Sequence, residues 1–157
     1  MKKVLWISSQ GGHLNELLQL DELFGNYDSY FMTEKTETTQ FLKEKYPNQT
    51  SYLLYGTKHH LLLYPFILLW NCFMSLYTYL KIRPDYVITT GTHTAGPMCC
   101  IAKIMGSKVI YIETFANSHS KTATGRLIYY FADLFLVQWE SMLEVYPKAK
   151  LGGWIFK

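Results

Sequence analysis

Cysteine is scarce in this chain, with 3 in 157 residues. Cys99 and Cys100 are neighbours and Cys72 sits in an apolar run. Adjacent cysteines rarely bridge, and no spacing here fits a zinc site, so three reduced and mostly buried thiols are expected. No Asp-x-Asp pair occurs either, which disfavours a carboxylate-held metal, and no cofactor is expected. Excess charge of one sign is missing too: 15 Lys and Arg against 12 Asp and Glu leave a net +3. Without a dense basic stripe or a recognisable motif, nucleic acid is excluded as a partner. A weak attraction to anionic membrane surfaces remains compatible with this charge. No repeat, linker or low-complexity stretch is present. No secretory signal is expected, because the apolar run Val4 to Ile7 after Lys2-Lys3 is too short and leads straight into glycines.

What the chain has is apolar and aromatic substance. Apolar residues make up 49%, which excludes a disordered tail, and aromatics reach 17% with 13 Tyr. Such an excess marks contact with protein or lipid headgroups. Short runs, apolar on both faces, predict strands at Val4–Ile7, Ser29–Met32, Ser51–Tyr55, Tyr86–Thr89, Lys108–Ile112 and Leu134–Val137. Helical spacing separates them: Leu14 to Leu23, Thr36 to Tyr46, a segment ending at Met105, Arg126 to Ala132, and Trp139 to Val145. Strands alternating with helices predict one α/β domain over 1–157, a Rossmann-like parallel sheet covered by helices.

The longest element, Leu61 to Leu80, carries no formal charge and is long enough to span a bilayer core at ~1.5 Å per residue. Topology argues against a crossing. Three strands precede it and three follow, and a bilayer between them would prevent their pairing. Pro65 falls in the first turn, where its missing N–H costs little. Asn71, Ser75 and Thr78 form a narrow polar stripe, and Lys58, His59, His60, Lys81 and Arg83 flank the ends. A helix apolar nearly all round needs two dry surfaces. One is the sheet; the other is either lipid, met in-plane, or another protein.

Parallel α/β sheets bind ligands at the carboxyl ends of their strands. Three loops there are candidates. Ser8-Ser9-Gln10-Gly11-Gly12-His13 lets backbone approach a phosphate, with His13 as a base or phosphate donor. It lacks the further glycine of a dinucleotide fingerprint, although Glu34 falls near a ribose-binding position. Thr89-Thr90-Gly91-Thr92-His93-Thr94 suits a sugar or diphosphate, or is an ordinary helix start capped by Thr94. Ile112-Glu113-Thr114 places Glu113 at the end of an apolar strand, and Ser118 follows. The Ser118 to Gly125 segment has the wrong glycine–lysine order for a P-loop.

Taken in order, Gly11-Gly12-His13, Thr89-Thr90-Gly91, Ile112-Glu113-Thr114, Thr124-Gly125-Arg126-Leu127, Ala132-Asp133, Val137-Gln138-Trp139 and Tyr146-Pro147-Lys148-Ala149 resemble one family. It is the anchor subunit of the eukaryotic dolichol-linked N-acetylglucosaminyltransferase, with its bacterial capsule and exopolysaccharide relatives. The resemblance implies the N-terminal half of a GT-B glycosyltransferase cut into two polypeptides. That half takes a polyprenyl-diphosphate-linked sugar acceptor on the cytoplasmic face of the plasma membrane. A second half-length subunit binds the nucleotide sugar. It implies His13 and Glu113 as catalytic candidates. Gly11, Gly12, Thr90, Gly91, Thr92 and Ser118 are then the residues that contact acceptor or phosphate. The eukaryotic subunit carries an N-terminal transmembrane anchor that has no counterpart here, which leaves attachment to Leu61–Leu80 or to another protein.

Two functions from different classes follow. In one, the chain binds acceptor and contributes a base to an inverting transfer from a UDP-sugar, with little activity alone. In the other it is a non-catalytic scaffold that recruits and activates its partner. A free-standing nicotinamide enzyme is disfavoured by the incomplete glycine fingerprint.

Overall fold

The computed structural model describes residues 1–56 and 63–156. Lys58, His59, His60 and the expected helix start at Leu61 lie outside the described residues. Among the described residues seven parallel strands form one sheet: β1 (Lys3–Ile7), β2 (Asp28–Glu34), β3 (Thr50–Leu53), β4 (Tyr86–Thr89), β5 (Lys108–Ile112), β6 (Leu134–Val137) and β7 (Lys150–Leu151). Their order is β3-β2-β1-β4-β5-β6-β7. The expected Rossmann-like parallel sheet is present, and β4, β5 and β6 fall on the expected residues. The two-residue β7 is too short to show a period.

Each strand puts alternate side chains on opposite faces. From β1, Leu5 and Ile7 enter one core with Val87, Val109 and Val137, while Val4 and Trp6 enter the other with Leu17, Phe24 and Phe31. The first core is covered by α4 (Tyr64–Ile82), α5 (Gly96–Ile104), α6 (Ala123–Ile128) and α7 (Met142–Val145). The second is covered by α1 (Gly12–Leu18) and α2 (Asp21–Phe24). The single helix expected over Leu14 to Leu23 is thus two, broken at Leu20, whose backbone leaves helical geometry at φ −88°, ψ 17°. α3 (Gln40–Lys45) follows a short 3₁₀ turn, Glu37–Thr39, capped by Thr36. α6 begins earlier than expected because Thr122 caps it, its hydroxyl accepting the Gly125 N–H at 3.0 Å.

The amino edge of the sheet is clasped twice by one device. Asp85, just before β4, accepts the Lys3 N–H at 2.9 Å and the Lys2 ammonium at 2.9 Å. Asp133, just before β6, accepts the Val109 N–H at 2.9 Å and lies 3.0 Å from the ammonium groups of both Lys103 and Lys108.

In α4 the expected polar stripe turns inward. Asn71, Ser75 and Thr78 are buried with Tyr79 and Ile82. Asn71 pairs with both backbone groups of Leu54, accepting its N–H at 2.8 Å and donating to its carbonyl at 2.9 Å. That satisfies the peptide group just past β3. The outward face is apolar: Phe66 is 71% exposed, Leu69 70% and Phe73 60%. Strands on both sides of α4 belong to one sheet. Among the described residues no helix is long and apolar enough to cross a membrane.

Candidate functional site

The sheet order reverses between β1 and β4, so their following loops diverge to opposite faces and leave a crevice at the carboxyl edge. The first two candidate loops meet there. The Ser9 N–H donates to the Gly91 carbonyl at 3.1 Å, and the Thr92 hydroxyl donates to Ser9 Oγ at 3.0 Å. His13 Nδ1 lies 2.8 Å from the Thr90 carbonyl, and the Thr90 hydroxyl donates to the His13 carbonyl at 2.7 Å. A carbonyl only accepts, so Nδ1 carries the proton. In the neutral ring the lone pair is therefore on Nε2. His13 is half-buried, and Gly11 and Gly12 beside it are exposed. A Cβ on either glycine would meet nothing within 4 Å, so the surface above them is open.

Gly91 is buried with φ +101°, and a Cβ there would come within 3.3 Å of the Tyr111 hydroxyl and 3.5 Å of the His13 ring. Only glycine lets the two loops close this tightly. Thr90 and Gly91, expected to contact ligand, are both buried; Thr90 bonds His13, and the Gly91 carbonyl accepts the Ser9 N–H. Thr92 is half-buried at the crevice. Thr94 does not cap α5: its hydroxyl donates to Glu34 Oε1 at 2.7 Å.

Glu113 is 1% exposed. Its Oε1 accepts the Thr114 N–H at 3.1 Å, and its Oε2 accepts the Tyr146 hydroxyl at 2.9 Å. The Thr122 hydroxyl lies 3.0 and 3.1 Å from the two oxygens. Burial first, and then the charge of Glu113, push the Tyr111 and Tyr146 phenols well up, so both stay protonated beside the carboxylate. Glu113 thus sits beneath the surface, bound to its own loop and to the start of α6.

Two further carboxylates tie loops together. Glu34, at the end of β2, accepts the Gln10 N–H at 3.2 Å as well as the Thr94 hydroxyl, joining the loops after β1 and β4. It braces the crevice from within rather than facing a ribose. Glu16, one turn along α1 from His13, accepts the Thr114 hydroxyl at 3.0 Å and the Phe115 N–H at 2.8 Å. Its other oxygen is buried without a partner. Burial raises the Glu16 carboxyl above its ordinary value, against the pull of the Phe115 N–H and Thr114 hydroxyl. Among the described residues no group of three His, Cys, Asp or Glu is placed to hold a metal.

The family described as "Oligosaccharide biosynthesis protein Alg14 like" matches residues 57–155. The chain belongs to the Alg14 family. The mouse UDP-N-acetylglucosamine transferase subunit ALG14 is 27% identical, over 96% of this chain and 82% of that protein. The Schizosaccharomyces pombe subunit is also 27% identical, over 97% and 82%. Solved structures share the fold. MurG of Acinetobacter baumannii superposes with a TM-score of 0.71 at 17% identity, over 90% of this chain and 43% of that one. UDP-GlcNAc 2-epimerase of Neisseria meningitidis, bound to UDP-GlcNAc, gives 0.72 at 15%, over 98% and 47%. This chain spans less than half the length of either.

In this Alg14-family chain the third loop runs on to an aromatic cluster. Phe115 packs on Trp139, Trp154 and Phe156 with ring centroids 4.8, 5.5 and 5.6 Å away. The Trp139 indole donates to the Phe115 carbonyl at 2.7 Å. Trp154 remains 64% exposed. Ser118 is half-buried on the same loop, its carbonyl held by the Ser141 hydroxyl. Sequence reasoning missed the bracing role of Glu16. The signal available was an acid three residues after His13, hence on the same helix face.

Proposed function

We propose that this chain is the acceptor-binding half of a two-subunit glycosyltransferase at a membrane surface. The carrying observation is His13: Nδ1 is tied to the Thr90 carbonyl, and Nε2 is left as a base in a crevice at the sheet's switch point. In the transfer, an acceptor hydroxyl gives its proton to His13 Nε2. Its oxygen bonds to the anomeric carbon while the bond to the nucleoside diphosphate breaks, with inversion. The acceptor diphosphate would lie over Gly11 and Gly12, with Thr92 and Ser118 at its sides. Glu113, enclosed as it is, is assigned to holding the third loop rather than to taking the proton.

The sugar donor, a UDP-sugar, would come with a second half-length subunit. The relatives favour this, since those matched over 82% of their own length are each described as a subunit of a UDP-N-acetylglucosamine transferase. The aromatic cluster at the carboxyl edge is the surface assigned to that subunit, because exposed tryptophan beside a site suits an interface. The apolar outer face of α4 would lie on lipid in-plane, at the cytoplasmic side of the plasma membrane. The acceptor would be a polyprenyl-diphosphate-linked sugar of capsule or exopolysaccharide assembly. The scaffold reading draws on one observation, the enclosure of Glu113.

The test is sugar transfer from UDP-sugars to polyprenyl-diphosphate-linked acceptor by this chain, its partner, and both together. Transfer should need both. Robust turnover by this chain alone would contradict the split.

A further inference from the structure

A second apolar feature adjoins the crevice. Between α4, α5 and α6 runs a groove of about 560 Å³, within the ~300–1,000 Å³ of small-molecule sites. Leu68 and Cys72 form one wall, Cys100 and Ile101 another, and Leu127 a third, and the lining contains no Asp, Glu, Lys or Arg. One end is His93, whose Nδ1 lies 3.3 Å from the Thr92 hydroxyl, itself bonded to Ser9 of the first loop. Toward the outside, Cys72 and Ile101 also line a second apolar depression with Phe66, Trp70 and Phe73 on the outward face of α4. The apolar surface is therefore continuous from the face assigned to lipid to the edge of the site.

We propose that this groove seats the hydrocarbon chain of the lipid-linked acceptor, entering from the bilayer over Trp70 and Phe73 and ending at His93. The inference rests on the acceptor-binding reading above. Its basis is a shape with two different ends. Apart from His93 the lining offers a free phosphate or sugar only the hydroxyls of Tyr64 and Thr124, and most of the wall is apolar. A membrane-embedded amphiphile matches both ends, with its chain continuous with lipid and its head at the hydroxyls and glycines of the crevice. The groove then places the diphosphate by holding the chain that carries it.

Native cysteines report on occupancy. Cys72 and Cys100 are half-buried in the walls, whereas Cys99 is wholly buried. The full chain is bound to phosphatidylcholine–phosphatidylglycerol vesicles with or without a polyprenyl monophosphate, and N-ethylmaleimide labelling is followed residue by residue. Polyprenyl phosphate at ten times its Kd should slow labelling of Cys100 about tenfold, while inorganic diphosphate does nothing. Equal labelling with and without polyprenyl phosphate would overturn the proposal. So would protection of Cys100 by the partner subunit alone, which would mean that protein covers the groove. A second arm uses Leu68→Trp, which fills the groove away from His13. With the partner present, it should lose transfer to a long-chain acceptor and keep transfer to a short-chain, water-soluble one. Equal losses on both would overturn the groove. Absence of transfer to either acceptor by the wild-type pair would instead sink the acceptor-binding reading, leaving the labelling result to stand by itself.

Discussion

His13 and Thr90 hold each other reciprocally: the ring donates to the Thr90 carbonyl at 2.8 Å and the Thr90 hydroxyl donates to the His13 carbonyl at 2.7 Å. One contact sets the tautomer and the other fixes the backbone that carries the ring. The pair joins the loops after the two strands between which the sheet order reverses, so the candidate site lies at the fold's switch point.

Thr90→Val keeps the shape but leaves the His13 carbonyl without its donor. The expected cost is ~1–2 kcal/mol of stability, with a drop in transfer of roughly tenfold as the ring loses its register. Thr90→Ser retains the hydroxyl and should recover most of both. Urea melts and transfer rates on the same preparations check this. Wild-type rates in Thr90→Val would show that the ring needs no such support.

Gly125 lies against Glu113, Thr122 and Tyr146, and a Cβ there would overlap all three oxygens. Gly125→Ala should destabilise the chain by ~1–3 kcal/mol through overpacking. Glu113→Gln should act in the same way, since an amide cannot accept from both Thr122 and Tyr146 on its NH₂ side. Its loss of stability should therefore exceed any loss of turnover measured on the folded fraction. A stable Glu113→Gln protein with turnover down by ~10²-fold would return Glu113 to the role of base.

The clasp at Asp133 predicts a pH response. Burial pushes this carboxyl up, but the Val109 N–H and the Lys108 and Lys103 ammonium groups outweigh it and hold it at about 2, against an ordinary 3.8. A depressed carboxyl contributes stability above its unfolded value and loses it as pH falls through the folded one. The contribution should be complete above pH 3.8 and gone below about 2. Asp133→Asn should cost about 1 kcal/mol at neutral pH, reduced by solvent screening. Glu16 has the opposite sign. Its carboxyl is raised from 4.5, so its contribution is full below 4.5 and is lost as pH rises through the folded value. Glu16→Gln should flatten that part of the profile in denaturant melts across pH.

The outward face of α4 predicts a separable membrane defect. Leu69 and Phe73 are well exposed, so Leu69→Glu with Phe73→Glu should fold normally. Sedimentation with anionic vesicles should fall sharply, because each change replaces apolar contact with charge. Unchanged sedimentation would assign that face to a protein.

Much of this architecture was legible in the sequence because the strands are short continuous apolar runs. Tyr86–Thr89 and Leu134–Val137 are bounded by Pro84-Asp85 and Asp133, and the two aspartates clasp the sheet edge. The inward direction of Asn71, Ser75 and Thr78 was not legible. Hydropathy shows a polar stripe but not that Leu54, seventeen residues earlier, supplies the unpaired peptide group that Asn71 satisfies. At the candidate site, the turn from β1 into α1 that carries His13 could be read from Gly11-Gly12. The burial of Thr90, Gly91 and Glu113 could not, since strand-end position is shared by residues that face ligand and residues that brace those which do. Glu16 and Glu34 illustrate the same limit. Each acts through a loop that the sheet order, not the sequence neighbourhood, brings within reach.

The role proposed for His13 is to take the acceptor proton in a site completed by a partner. The direct measurement is transfer of radiolabelled sugar to a polyprenyl-diphosphate-linked acceptor by reconstituted wild-type and His13→Ala complexes, with assembly checked by co-purification. General-base catalysis is typically worth ~10²–10⁴-fold, so a loss of that size is expected with the complex intact. Wild-type turnover by the His13→Ala complex would contradict it and leave this chain a scaffold.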